Sequence, residues 1–121
     1  MKLEPLDVKT DDRGSLVEAF KFPNDGQVFY IIIKPGESRG NHYHVKKTET
    51  FLVIHGEAEM SVRDRTSGNL MKVSVTGQQP MSIKIVPNHT HSLYSKGGCV
   101  VLVWSDTVHN ETNPDTIQEE I

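Results

Sequence analysis

Gly36-Glu37-Ser38-Arg39-Gly40-Asn41-His42-Tyr43-His44-Val45-Lys46-Lys47-Thr48-Glu49-Thr50-Phe51-Leu52-Val53-Ile54-His55-Gly56 is the segment from which the architecture can be built outward. His42 and His44 stand two apart, and side chains alternate faces along an extended chain, so both imidazoles project to one side. A polar turn from Val45 to Thr48 follows, in which Lys46 and Lys47 read as a solvated charge pair. Glu49 then opens an apolar run to Ile54 that can fold back beside the first strand. Such a hairpin gathers two imidazoles and one carboxylate. These groups suit zinc, iron, manganese or nickel. His91, on a strand far downstream, can complete a set of His42, His44, Glu49 and His91 from across the interior.

On both sides of this segment the punctuation is that of an all-β chain. Short apolar or alternating runs are separated by Pro23-Asn24-Asp25-Gly26, Pro35-Gly36, Ser67-Gly68-Asn69, Pro87-Asn88 and Lys96-Gly97-Gly98. Strands are expected over residues 15–22, 28–34, 40–44, 49–54, 57–63, 70–76, 82–86, 91–95 and 99–105. No window carries a long stripe of helical period. The acidic tail from Asn113 to Ile121 is expected to be partly loose, with one helical turn at most. Val28 to Ile33 and Phe51 to Ile54 are apolar at both parities, so both faces of these strands need cover. In a chain this short a second copy is the economical cover, and a homodimer is expected.

The 121 residues fit one domain over 1–121. With 36% hydrophobic and 24% charged residues, the composition is that of an ordinary globular chain. No apolar run approaches the ~18 residues of a membrane span, so no membrane partner is expected. Thirteen basic residues against 16 acidic ones leave a net charge of −3, where a nucleic-acid binder would show a positive surplus. The single cysteine, Cys99, lies in an apolar run and is expected to be a buried thiol with no disulfide partner in the chain. Met1 to Pro5 show no apolar leader, and a cytoplasmic location is expected.

Gly36, His42, His44, Glu49 and Gly56 fulfil G-x5-H-x-H-x4-E-x6-G, the first motif of the cupins, and the chain resembles that superfamily. The second motif is looser: His89 stands where glycine is common, and Ser95 follows His91 where asparagine is usual. More closely, Lys34-Pro35-Gly36, Arg39 to His44 and Thr48 to Ala58 resemble the C-terminal cupin domain of CapF-like capsular polysaccharide assembling enzymes. Asp12-Arg13-Gly14-Ser15, Val103-Trp104-Ser105 and Asn113-Pro114-Asp115-Thr116 extend that similarity over nearly the whole chain. The resemblance implies a cupin double-stranded β-helix, or jelly-roll barrel. It also implies bound zinc and epimerisation of a UDP-4-keto-hexose at carbon 3 in surface polysaccharide synthesis. CapF-like enzymes join this cupin to a reductase domain that lies outside the resemblance. The expectation is therefore a cupin that acts alone, serves a separate reductase, or has changed substrate. Arg39 and His42 are also similar to the substrate-binding arginine and basic histidine of dTDP-4-keto-6-deoxyglucose 3,5-epimerases. The catalytic tyrosine of those enzymes falls on Trp104, whose indole cannot donate a proton as a phenol does.

An epimerase needs a base, an electrophile for the enolate oxygen and a second acid. His89 and Tyr94, flanking His91, are candidate proton carriers, with a turn role for His89 and a packing role for Tyr94 as alternatives. Arg39, then Arg13 and Lys34, are candidates to grip the diphosphate of a sugar nucleotide. His42 is assigned to the metal because the other three ligands accompany it. Two rival functions stay open: a non-catalytic sugar-nucleotide-binding subunit and an iron-dependent cupin oxygenase.

Overall fold

The computed structural model describes residues 1–12, 14–17, 19–20, 26–107, 112 and 114–121, with backbone alone for 14–17. Arg13 lies outside the described residues. Among them the chain is all β: β1 (Lys2–Pro5), β2 (Val8–Asp11), β3 (Gly14–Val17), β4 (Gln27–Ile33), β5 (Glu37–His44), β6 (Glu49–Asp64), β7 (Leu70–Thr76), β8 (Met81–Ile85), β9 (His89–Ser95), β10 (Cys99–Ser105) and β11 (Thr116–Gln118). One layer runs β1-β8-β6-β10-β4 and the other β7-β6-β9-β5-β11, with every pairing antiparallel. This is the jelly roll of the cupins.

The strand β6 belongs to both layers. The sequence reads as two strands broken at Gly56; the structure has one strand of 16 residues that bends there. Val101 of β10 faces Val53, but Val100 faces His55, so Ile54 is an extra residue. The bulge reverses which parity points inward. Phe51 and Val53 are buried before it, and Ala58, Met60 and Val62 after it. Gly56 makes the bend possible. Its φ is +80°, and a Cβ there would collide with the Gly98 carbonyl oxygen.

Between the layers, Ile33, Phe51, Val53, Met60, Val62, Val75, Ile83, Ile85, Leu93, Val101 and Val103 form one core with the expected buried thiol of Cys99. Other expectations need correcting. The strand expected over 15–22 is described only to Val17, where it forms one arm of a separate hairpin with β2. Lys47 is not a solvated partner of Lys46 but buried, at 4% exposure. Part of the tail expected to be loose, Thr116–Gln118, is the strand β11, paired with β5. Asp115 docks it, its carboxylate accepting the amides of Val45, Lys46 and Lys47 at 3.2, 2.8 and 2.9 Å. Burial opposes the ionisation of Asp115, but these donors outweigh it and hold the carboxyl below its ordinary pKa.

Among the described residues, cover on the outer face of β4 is not met. Val28, Tyr30 and Ile32 pair with Trp104, Leu102 and Val100 on the outer face, and are 49%, 64% and 60% exposed. Among the described residues no helix is long and apolar enough to cross a membrane.

Gly56→Ala is expected to destabilise the fold by about 2 kcal/mol or more, strain and collision adding together. Gly68→Ala, at φ +78° with no atom within 4 Å of the added methyl, should lose only about 1 kcal/mol. Urea unfolding compares the two; a Gly56→Ala loss no larger than that of Gly68→Ala would show that the bend does not require glycine.

Candidate metal centre

The site is assembled by a second bulge. Along β5 and β9 the register runs from Glu37 opposite Ser95 to Gly40 opposite Ser92, and then His42 meets His91, so Asn41 is extra. In an unbroken register Asn41 would oppose His91 and His42 would turn outward. Gly40 and Asn41 absorb the extra residue at φ +111° and +54°. A Cβ on Gly40 would lie 2.7 Å from the His91 carbonyl oxygen, which explains the glycine. Arg39 and His42, three apart in sequence, therefore line the same cavity.

β5 delivers His42 and His44, β6 delivers Glu49 at its first residue, and β9 delivers His91. The ring centroids of His42 lie 4.9 Å from those of both His44 and His91, and His44 and His91 are 5.7 Å apart. His44 Nε2 is 2.7 Å from Glu49 Oε1, and its Nδ1 is 3.2 Å from the Thr116 hydroxyl. His91 Nδ1 donates to the His89 carbonyl at 3.0 Å. Its Nε2 faces Glu49 Oε1 at 3.6 Å, buried and without a hydrogen-bond partner among the described residues.

Burial and the neighbouring His91 and His44 lower the pKa of His42 from 6.5 to about 4, against the pull of Glu49. For Glu49, burial works upward but is outweighed by His44 and His91, which hold the carboxyl far below its ordinary range. The cluster at neutral pH is thus an ionised carboxylate beside a neutral His42.

These residues fit a divalent cation. Their ligand atoms all lie within 4.8 Å of one another, and bonds of about 2.1 Å place opposite ligands about 4.2 Å apart. The orphaned Nε2 of His91 supports the fit most directly. Its other nitrogen is tied to a backbone carbonyl, the posture of a metal-binding imidazole.

The cluster faces a cavity of about 570 Å³ with apolar walls from Phe29, Ile31, Ile33, Phe51, Leu93 and Val103 and polar ones from Ser38, Arg39, Thr116 and Gln118. His42, His44, Glu49 and His91 come together as the sequence implies, with Arg39 on the wall. His89, Tyr94 and Lys34 do not join them. The His89 ring bonds the Pro87 carbonyl at 2.9 Å and lies 3.8 Å from Asp64. Tyr94 alternates with the inward Leu93 and Ser95 and is 42% exposed. Lys34 is exposed beyond the end of β4. Thr116 and Gln118 were missed, since three residues of strand carry no readable period.

Residues 9–117 match the family described as the polysaccharide biosynthesis C-terminal domain. The UDP-2-acetamido-2,6-beta-L-arabino-hexul-4-ose reductase of Pseudomonas aeruginosa is 37% identical over 109 residues, covering 88% of this chain and 29% of the reductase. The capsular polysaccharide assembling protein CapF of Staphylococcus aureus superposes with a TM-score of 0.77 at 33% identity, over 98% of this chain and 33% of CapF. The dTDP-4-dehydrorhamnose 3,5-epimerase of Sulfolobus tokodaii shares the fold, with a TM-score of 0.81 at 21% identity over 91% of this chain and 72% of its own. The chain spans about a third of the first two relatives, 29% and 33%.

The pKa of His42 gives a pH prediction. Between its folded value of about 4 and the ordinary 6.5 the unfolded chain binds the extra proton. Its contribution to the stability of the metal-free protein is therefore full above pH 6.5 and declines as the pH falls toward 4. Thermal unfolding in a chelator should show this decline, and His42→Gln should flatten it. Equal slopes for the two proteins would mean that His42 is not buried neutral.

Proposed function

The chain belongs to the polysaccharide biosynthesis C-terminal domain family, and from that premise we propose that it is a metal-dependent cupin that epimerises or isomerises a 4-keto sugar nucleotide. The observation that carries the reading is the buried, orphaned His91 Nε2 within a three-histidine, one-carboxylate cluster on an open cavity. The relatives supply the substrate class: one is named as a UDP-hexulose reductase, another as a dTDP-sugar 3,5-epimerase. Zinc is the metal chosen, on the resemblance to CapF-like cupins; iron, manganese and nickel suit the same ligands.

A ketone acidifies the carbon beside it, and the chemistry is removal and return of that proton. A divalent cation held by His44, Glu49 and His91 would supply the electrophile for the enolate oxygen. Arg39 on the wall offers a guanidinium fork to a diphosphate. Phe29, Ile31, Leu93 and Val103 keep water from the sugar ring and strengthen each charge interaction. With His89 and Tyr94 outside the cavity, the proton acceptor in this reading is His42. It is the least buried member of the cluster, and burial keeps it neutral at pH 7. Catalytic zinc keeps one position open, a condition met when His44, Glu49 and His91 are its three protein ligands.

A second reading is a binding subunit that presents the sugar nucleotide to a reductase, the activity in the name of the 37% identical relative. A homodimer, with the outer face of β4 against a second copy, completes the proposal. Tyr30 and Ile32 are too exposed and too apolar for a face left to water.

Incubation with UDP- and dTDP-4-keto-6-deoxyhexoses in deuterated water, followed by NMR, should show deuterium entering beside the ketone. Elemental analysis should find a divalent metal, and Arg39→Ala should weaken sugar-nucleotide binding by about 10-fold or more. Tight binding without exchange for every such sugar would overturn the enzyme reading in favour of the subunit. Light scattering should give a dimer that Tyr30→Glu with Ile32→Lys converts to monomer; a wild-type monomer would refute the proposed interface.

A further inference from the structure

The C-terminal strand contributes to the cluster as well as closing a sheet edge. We propose that Thr116, set in place by Asp115, is a positioning residue of the metal centre, its hydroxyl fixing the tautomer and tilt of His44. The inference rests on the metal-binding part of the reading above.

An imidazole presents a chosen nitrogen to a cation only if its other nitrogen is engaged. His91 is engaged by its own strand, through the His89 carbonyl. For His44 the engaging group comes from the far end of the chain. Its Nε2 points at Glu49, and Thr116 Oγ1 stands 3.2 Å from Nδ1. With a cation in place of the Nε2–H···Glu49 hydrogen bond, the Thr116 hydroxyl would accept the Nδ1 proton and leave the Nε2 lone pair to the cation. His44 is 5% exposed, so water has little access to replace the hydroxyl.

Thr116 is held from both sides. Upstream, the Asp115 carboxylate binds the amides of Val45, Lys46 and Lys47, the three residues directly after His44. The two segments thus move as one, with Thr116 opposite His44 in the ladder. Downstream, the Glu119 amide donates to the Asn41 carbonyl at 2.9 Å, and the Ile121 amide to the Asn41 side chain at 3.2 Å. Thr116 is also β-branched, so its χ1 is stiff and the hydroxyl keeps its direction.

Cobalt(II) is the probe, since its visible bands report ligand geometry, and the full chain is used throughout. Thr116→Val keeps shape and strand propensity but removes the hydroxyl. It should bind cobalt about 10- to 100-fold more weakly in chelator competition, with altered visible bands. Thr116→Ser should restore both, and metal-free thermal unfolding should be closely similar for all three proteins. Wild-type affinity and spectrum in Thr116→Val would overturn the inference alone. Failure of the wild-type chain to take up cobalt would overturn the metal reading beneath it. If Thr116→Val does not fold, Asp115→Asn decides: weaker cobalt binding supports the proposal, and unchanged binding overturns it.

Discussion

One extra residue in β5 decides what the molecule can do. A regular strand shows alternate side chains to one face, so Arg39 and His42 would point to opposite sides. The bulge at Gly40 and Asn41 brings Arg39 and His42 to one cavity wall. It does so within a single hairpin arm, opposite His91. Local strain is small because glycine and asparagine occupy the left-handed positions. The close approach of Gly40 to the His91 carbonyl ties the bulge to the strand that supplies the third imidazole. Arg39 and the histidine cluster are thereby brought to one cavity by the same backbone irregularity.

The electrostatics of the cluster follow from its enclosure. Three rings and a carboxylate share a space to which water has little access, so each controls the charge of the others. Glu49 stays ionised because His44 and His91 face it, and His42 stays neutral chiefly because burial disfavours its charged form. No proton need leave His42 at neutral pH for its lone pair to be available. The surrounding apolar wall makes every one of these interactions stronger than it would be in water.

Much of this was legible in the sequence, for physical reasons. Period-two alternation and Gly/Pro punctuation marked the strands from β4 to β10, and fixed offsets between glycines, histidines and Glu49 marked His42, His44 and Glu49 as one cluster. What escaped was set by long-range geometry. The bend at Gly56 looks in the sequence like a break, because a bulge and a turn use the same residue. His89 and Tyr94 stand beside a ligand in sequence but are aimed away: one ring turns onto its own turn carbonyl, the other follows the strand's alternation to solvent. The tail looked loose because its order comes from Asp115 and from Asn41, Arg63 and Arg65, none of which signals a strand locally.

The shared strand β6 has a bearing on how the protein comes apart. Its first half is flanked by β8 and β10 and its second by β7 and β9, so it is sheltered on both edges for most of its length. Neither layer can melt and leave the other whole, because each would lose its central member. Its amides should therefore exchange with solvent only through global opening, as the last protected set in the molecule. Glu49 sits at the head of this same strand, which makes the carboxylate among the slowest parts of the centre to be released from the fold.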